Sequence, residues 1–509
     1  MTRRYYDAVF LGMGFEPLLA GALLAKRGFR VLVLGQGERA PTYEAGDRRW
    51  PRRSHTFLAT HSPVAKRLLA ELALHQLFRR RTTAMDPAFQ VVLPKHRFDF
   101  ALAPVDLQRE IEREVPAVKR AALDFVRACE RHAADLDGIL ERDLMWPPES
   151  FFERREFARA TAHQAFDRDG GGVDPFAEFP EAHTFRTLIG APVRFAVPMD
   201  PGQLVPLATF RLHWAWRHAA KVEGGYGWLH QALIEKIETY SGEVRPRESA
   251  DRVLTKRGAA VGVRLAGSGE TIGCSVVAHG RHIGALLPLL PDRTAFGELF
   301  EKLGEPTPRY FRYTLNVLVR AEGVPEGIAR DVFYVRDAQA ADREHRLRID
   351  VGDRQEDGSR LITIEALLPR RAVEEIPGYV ASMRERVIAA LAELAPFIGD
   401  HILQIDSPHD GRELQDIEGR RVITPDEPWS RGPHTMDTIY GYPVRGIFGV
   451  CAFPIRTPIK RLLLCGPHVV PGLGDEGAFL TAWSTARLIA RSDRKKDWMR
   501  RGLWTKVEI

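Results

Sequence analysis

Cysteine is scarce here: four residues in 509, Cys129, Cys274, Cys451 and Cys465, far apart and with no C-x-x-C pair. That argues against a disulfide framework or a zinc site and for small core residues in a reducing compartment. Charge of one sign is also lacking. The 73 basic residues barely outnumber the 67 acidic ones, so the surplus gives no ground for nucleic-acid binding. No apolar run reaches the roughly eighteen residues of a membrane-spanning helix. Arg3 and Arg4 precede an apolar stretch, but Asp7 interrupts it as a signal-peptide core. These absences predict a cytoplasmic protein, free or on a membrane surface, with no metal centre. Internal repeats and low-complexity tracts are missing too. What is present is 44% hydrophobic residues, enough for a large core and more than one domain.

The most informative stretch is DAVFLGMGFEPLLAGALLAKRGFRVLVLGQ, Asp7 to Gln36. An apolar segment leads through Gly12 and Gly14 into an Ala/Leu-rich helix. Apolar residues at Leu18, Leu19, Ala22, Leu23 and Ala25 give that helix one apolar face, and Gly28 caps it before a second apolar segment at Val31 to Leu34. Such a strand-turn-helix-strand unit aims backbone N–H groups and the positive helix end at an anion, which suits a dinucleotide pyrophosphate. Two parts of that pattern are missing. Pro17 stands in place of a third glycine, and Gly35-Gln36 ends the second strand where an acid for the ribose is usual. Gln36 remains able to hydrogen-bond a hydroxyl. The following loop carries five arginines, Arg39, Arg48, Arg49, Arg52 and Arg53, read either as a solvated surface or as charge for the pyrophosphate, with Arg39 the first candidate.

The rest of the chain divides by pattern. Residues 1–60 form the βαβ unit and basic loop, and 61–222 a mainly helical region over a cleft, with glycine and proline clustered over 167–205. Residues 223–290 hold a helix from about Trp228 to Tyr240 and strand pieces that return the chain to the first sheet. Residues 291–425 supply strands and a helix facing a substrate, 426–490 a closing glycine-rich turn and helix, and 491–509 a basic, aromatic tail.

Three stretches in this order resemble the phytoene desaturase and carotenoid isomerase branch of the flavin-dependent amine oxidase superfamily, which also includes the Rab GDP-dissociation inhibitors. They are GMGFEPLLAGALLAKRGFRVLVL, EGGYGWLHQALIEKIETYSGEVRPRESADRVL and TPIKRLLLCGPHVVPGLGDEGAF. The resemblance implies an α/β fold, a Rossmann-like FAD/NAD(P)-binding domain interleaved with an α+β substrate domain. It implies FAD, with Gly12 and Gly14 on the pyrophosphate, Gln36 in place of the ribose acid and the Ala250 backbone on adenine. Gly466, Gly474, Asp475, Gly477 and Ala478 would then lie along the ribitol and the isoalloxazine edge. Four departures touch the cofactor: Pro17, Gly35, Ala40 and Pro467. The inhibitor branch also lacks a third glycine and binds a prenylated protein without flavin.

Two functions therefore stand. One is an FAD-dependent desaturase or isomerase moving a hydride between flavin and a hydrophobic, isoprenoid-like substrate. The other is a flavin-free binding protein of the same fold that holds a lipid or lipidated partner. His468, Asp475 and Glu476 lie on the closing turn, where a proton acceptor would be needed, yet a loop histidine, a helix cap and a first-turn acid explain them equally, so no catalytic base is named. The tail mixes seven basic residues with Trp498, Met499, Leu503 and Trp504, a composition suited to an anionic membrane surface or to a frayed end.

Overall fold

The computed structural model describes residues 5–162, 174–180, 183–337, 346–416, 421–422, 431–442 and 447–492. Two sheets organise them. The first begins with β1 (Tyr5–Leu11), which runs parallel to β2 (Val31–Leu34) with Ala8 opposite Val31 and Leu11 opposite Leu34. On its other side β1 pairs in parallel with Thr271–His279, which in turn takes Leu462–Leu464 alongside its end. Glu243–Arg245 extends the sheet beyond β2, and the antiparallel pair Ala250–Lys256 and Ala259–Leu265 extends it past Thr271–His279. Inner parallel strands are covered on both faces, hence the unbroken apolar runs AVFL and VLVL.

The helix α1 (Phe15–Lys26) joins β1 to β2, and it differs from the one-faced helix its spacing predicts. Every residue from Glu16 to Ala25 is buried, because besides the sheet the Asp475–Ser492 and Gly225–Thr239 helices both pack on α1, with Phe15 edge-on to Phe479 at 4.9 Å and Gly21 facing Ile237. A helix enclosed all round needs small and apolar residues throughout. Pro17 also finds a reason. It sits in the first turn, where its missing N–H is no loss, and its ring lies against Gly280, where a Cβ would come within 2.5 Å of the proline Cγ.

The second sheet is antiparallel in its main part, with Thr307–Arg320 between Ser359–Pro369 and Ile402–Asp406. It continues through Arg346–Arg354 and Asp331–Val335 to Gln90–Leu93 and His96–Asp99. The 61–222 region is thus less helical than its charge pattern predicts, since QVVLPKHRFD is a hairpin added to this sheet. The basic loop after β2 is likewise ordered. Thr42–Ala45 and Arg48–Pro51 form a hairpin turning at Gly46, whose φ is +65°. Its buried Tyr43 and Trp50 pack on Leu318 and Leu414 of the second sheet.

The glycine-rich span 167–205 is loop only in part, because Thr184–Val193 is a helix. The middle helix runs Gly225–Thr239 and the closing one Asp475–Ser492. Among the described residues no helix is long and apolar enough to cross a membrane, and no His, Cys, Asp and Glu cluster could hold a metal. Most of the tail, residues 493–509, lies outside the described residues.

Candidate functional site

The N-terminus of α1 faces a carboxylate of the same chain. The Met13 N–H donates to Glu38 Oε2, and the Gly14 N–H lies close enough to help lower the Glu38 pKa. Glu38 follows β2 by four residues and turns back over the glycines: a Cβ on Gly12, whose φ is +120°, would sit 3.2 Å from Glu38 Oε2 and 3.0 Å from Arg281 Cγ. The anion that this helix end invites is supplied internally. Glu16 is buried in the same turn. Burial pushes both carboxyls up to about 7, and the nearness of Glu38 raises Glu16 further. His230 rests against the Met13 backbone, and burial drives its imidazole down to about 4.

A second side chain bonds to Ala250, the residue that the resemblance sets beside adenine. Gln36 Nε2 donates to the Ala250 carbonyl at 2.7 Å, and the Ala250 N–H donates to Gln36 Oε1 at 2.8 Å. One amide thus satisfies both the N–H and the carbonyl of Ala250. Arg281 Nη1 donates to the Gln36 carbonyl at 2.7 Å and pins the turn. Gly35 is where a ribose acid would stand, and any Cβ there would overlap the carbonyl of Pro246. No rotamer change relieves that clash, because both partners are backbone.

Of the arginines in the basic loop, Arg39 stays near the cradle. Arg281 is among its charged neighbours, and burial pushes its guanidinium below the usual range. Arg48 leaves with the hairpin and donates to Gln355 at 2.9 Å, while Arg49 pairs with Glu44 on the surface at 3.4 Å. Arg52 and Arg53 lie over the rings of Tyr43 and Tyr226, 5.0 and 4.1 Å from their centroids.

The closing turn comes to the same region, since α1 and the Asp475–Ser492 helix touch through Phe15 and Phe479. Its glycines serve close backbone packing. A Cβ on Gly466 would strike the Gly280 carbonyl, one on Gly474 the Ala196 carbonyl, and one on Gly477 the Val470 carbonyl. Asp475 accepts from the Leu58 N–H at 2.9 Å and the Tyr226 hydroxyl at 3.0 Å, and burial raises its pKa. The Ala478 N–H is spent within the helix on Gly474. Glu476 forms a two-pronged ion pair with Arg211 at 2.8 and 2.7 Å, shared with Asp137 at 2.6 Å. His468 is fully buried, neither ring nitrogen has a hydrogen-bond partner among the described residues, and burial drives its pKa well down.

On the second sheet itself, buried ion pairs gather Arg312, Glu365, Arg348, Asp331 and Asp350. The Ser54 N–H donates to Glu365 at 2.9 Å, Glu365 pairs with Arg312 at 2.9 Å, and Arg348 pairs with Asp331 at 3.0 Å. Lys221 joins Asp331 and Asp350 at 3.0 and 2.7 Å. Although burial opposes it, Arg348 and Lys221 hold Asp331 below the usual carboxylate range.

Where the resemblance sets the pyrophosphate and the adenine of FAD, the Met13 N–H is taken by Glu38 and the Ala250 backbone by Gln36, with Arg39 and Arg281 close by. Sequence reasoning marked Gln36 and Ala250 but missed Glu38 and Glu16. The available signal was two acids flanking a glycine turn that should attract anions.

No family model and no curated protein sequence matches the chain. Among solved structures, it is similar to an oxidoreductase from Methanosarcina mazei at 16% identity and TM-score 0.58, over 94% of this chain and 100% of that one. It is similar to cyclohexylamine oxidase from Brevibacterium oxydans at 16% identity and TM-score 0.56, over 96% and 99%. A putrescine oxidase mutant from a redesign of cofactor binding matches at 14% identity and TM-score 0.61, over 96% and 100%. Matched almost end to end by these proteins, the chain shares their two-sheet fold.

Proposed function

We propose that this chain is a flavin-free binding protein built on the amine oxidase fold, holding a lipid or lipidated partner rather than turning over a substrate. One observation carries the reading: the two backbone sites that would grip a dinucleotide are already bonded, to Glu38 at the pyrophosphate end and to Gln36 at the adenine end. Loading FAD would put a diphosphate next to a second buried acid, Glu16, and displace the Glu38 carboxyl from beside Arg281.

The competing reading is an FAD-dependent oxidoreductase. Its substrate would be isoprenoid-like by the sequence resemblance, or an amine by the names of cyclohexylamine oxidase and putrescine oxidase. The unpartnered, fully buried His468 supports it, since a missing ring could bond there.

Absorption and melting separate the two. The purified protein is expected to be colourless and to show no shift in Tm with added FAD, whereas a ligand at about a hundred times its Kd would add about 2.7 kcal/mol. Stoichiometric FAD in the preparation, or a melt that rises with FAD, would overturn the proposal.

A further inference from the structure

Away from the cleft, the surface where the Phe151–Ala160 helix meets the ends of two others combines two features that no role above uses. Phe151 and Phe152 are 70% and 77% exposed, side by side with ring centroids 5.7 Å apart. They are not a frayed end. Ser150 and Glu153 form a reciprocal cap, the Glu153 N–H to Ser150 Oγ at 3.2 Å and the Ser150 N–H to Glu153 Oε2 at 2.8 Å. Arg456 then clamps Glu153 at 2.7 Å. Two large apolar rings are therefore held out in water by a rigid start to the helix.

Beside them opens a cavity of about 660 Å³ lined by Phe152 and four arginines, Arg142, Arg155, Arg159 and Arg487. Its acids do not balance them. Asp143 is engaged by the Trp483 indole N–H at 2.9 Å and by Arg487 at 3.2 Å, and Arg142 donates to the Ala160 carbonyl at 3.0 Å. Glu156 is the other acid of the lining. Arg155 and Arg159 are exposed, stand one helical turn apart, and form no ion pair with a carboxylate among the described residues. Like charges at that spacing repel, which an external anion would relieve.

We infer that this face, carrying Phe151, Phe152 and the Arg142–Arg155–Arg159–Arg487 cavity, docks on an anionic lipid bilayer, with a headgroup phosphate among the guanidinium groups. Protruding rings flanked by arginines suit the boundary between headgroups and acyl chains. An acidic peptide would be expected to bury such rings in a groove, whereas these stand clear of the surface. The inference is independent of whether the cleft takes flavin.

Co-sedimentation of the full-length protein with vesicles tests it. Wild type should pellet with phosphatidylcholine containing about a third phosphatidylserine, much less with phosphatidylcholine alone, and less at high salt. The F151S/F152S and R155A/R159A pairs change exposed side chains, so unchanged circular dichroism and Tm would show them folded. Each pair should weaken binding at least about tenfold, and the arginine pair about twenty-five-fold at roughly fivefold per guanidinium. A wild-type protein that stays in the supernatant would overturn the inference. So would equal pelleting of wild type and both variants, which would move binding to the basic tail, or capture by an acidic peptide with no vesicle binding.

Discussion

Glu38 accepts a hydrogen bond from the N–H of Met13 at the start of α1, and its protonation should be visible in stability. Its ordinary pKa of 4.5 rises to about 7 on folding. The folded state binds this proton more tightly, so the stabilisation is full below 4.5 and is lost as pH climbs through about 7. Glu38→Gln keeps an oxygen to accept from Met13 and removes the titration. The variant should therefore gain on wild type by about 3 kcal/mol between pH about 5 and about 8 in urea unfolding. A constant difference would show the carboxylate already hydrated. At this scale the sequence was only half legible. The Gln36 side chain reads as a hydrogen-bonding amide near the adenosine end, but its partner is 214 residues away, and no local pattern shows which backbone group a distant strand will present.

Elements were easier to see. The helix from Asp475 and the βαβ opening follow from apolar period and glycine punctuation, whereas the hairpin of residues 42–51 was hidden among arginines. Its signals were the alternation of Tyr43 with Ala45 and a Gly46-Asp47 turn. The closing helix is fixed to its neighbours by the Arg211 ion pairs, with Arg211 only 2% exposed. Glu476→Ala leaves that guanidinium buried and short of its main partner, which should cost about 3–5 kcal/mol in denaturant unfolding. A loss below about 1 kcal/mol would mean that Asp137 suffices.

Across the whole molecule, the four cysteines test how tightly the layers are packed. Cys129, Cys274, Cys451 and Cys465 are all free and at most 4% exposed, and burial pushes the Cys274 and Cys451 thiols up to about 12. A thiol-reactive dye should label none of them quickly in the native protein and all four after unfolding. Fast labelling of one native thiol would reveal an opening between the sheets. The two-sheet fold itself follows from the order of three glycine-bearing stretches. The contacts of Glu38 with Met13 and of Gln36 with Ala250 do not, because they depend on where two side chains point.

The Glu38 and Gln36 contacts bear on how the protein matures. In a flavoenzyme, the apoprotein waits with raw polar edges until its prosthetic group arrives, and a shortage leaves it prone to proteolysis. Under the flavin-free proposal those edges are sealed by residues translated within the same chain, and the amount of finished protein should follow synthesis alone and stay level when riboflavin runs short.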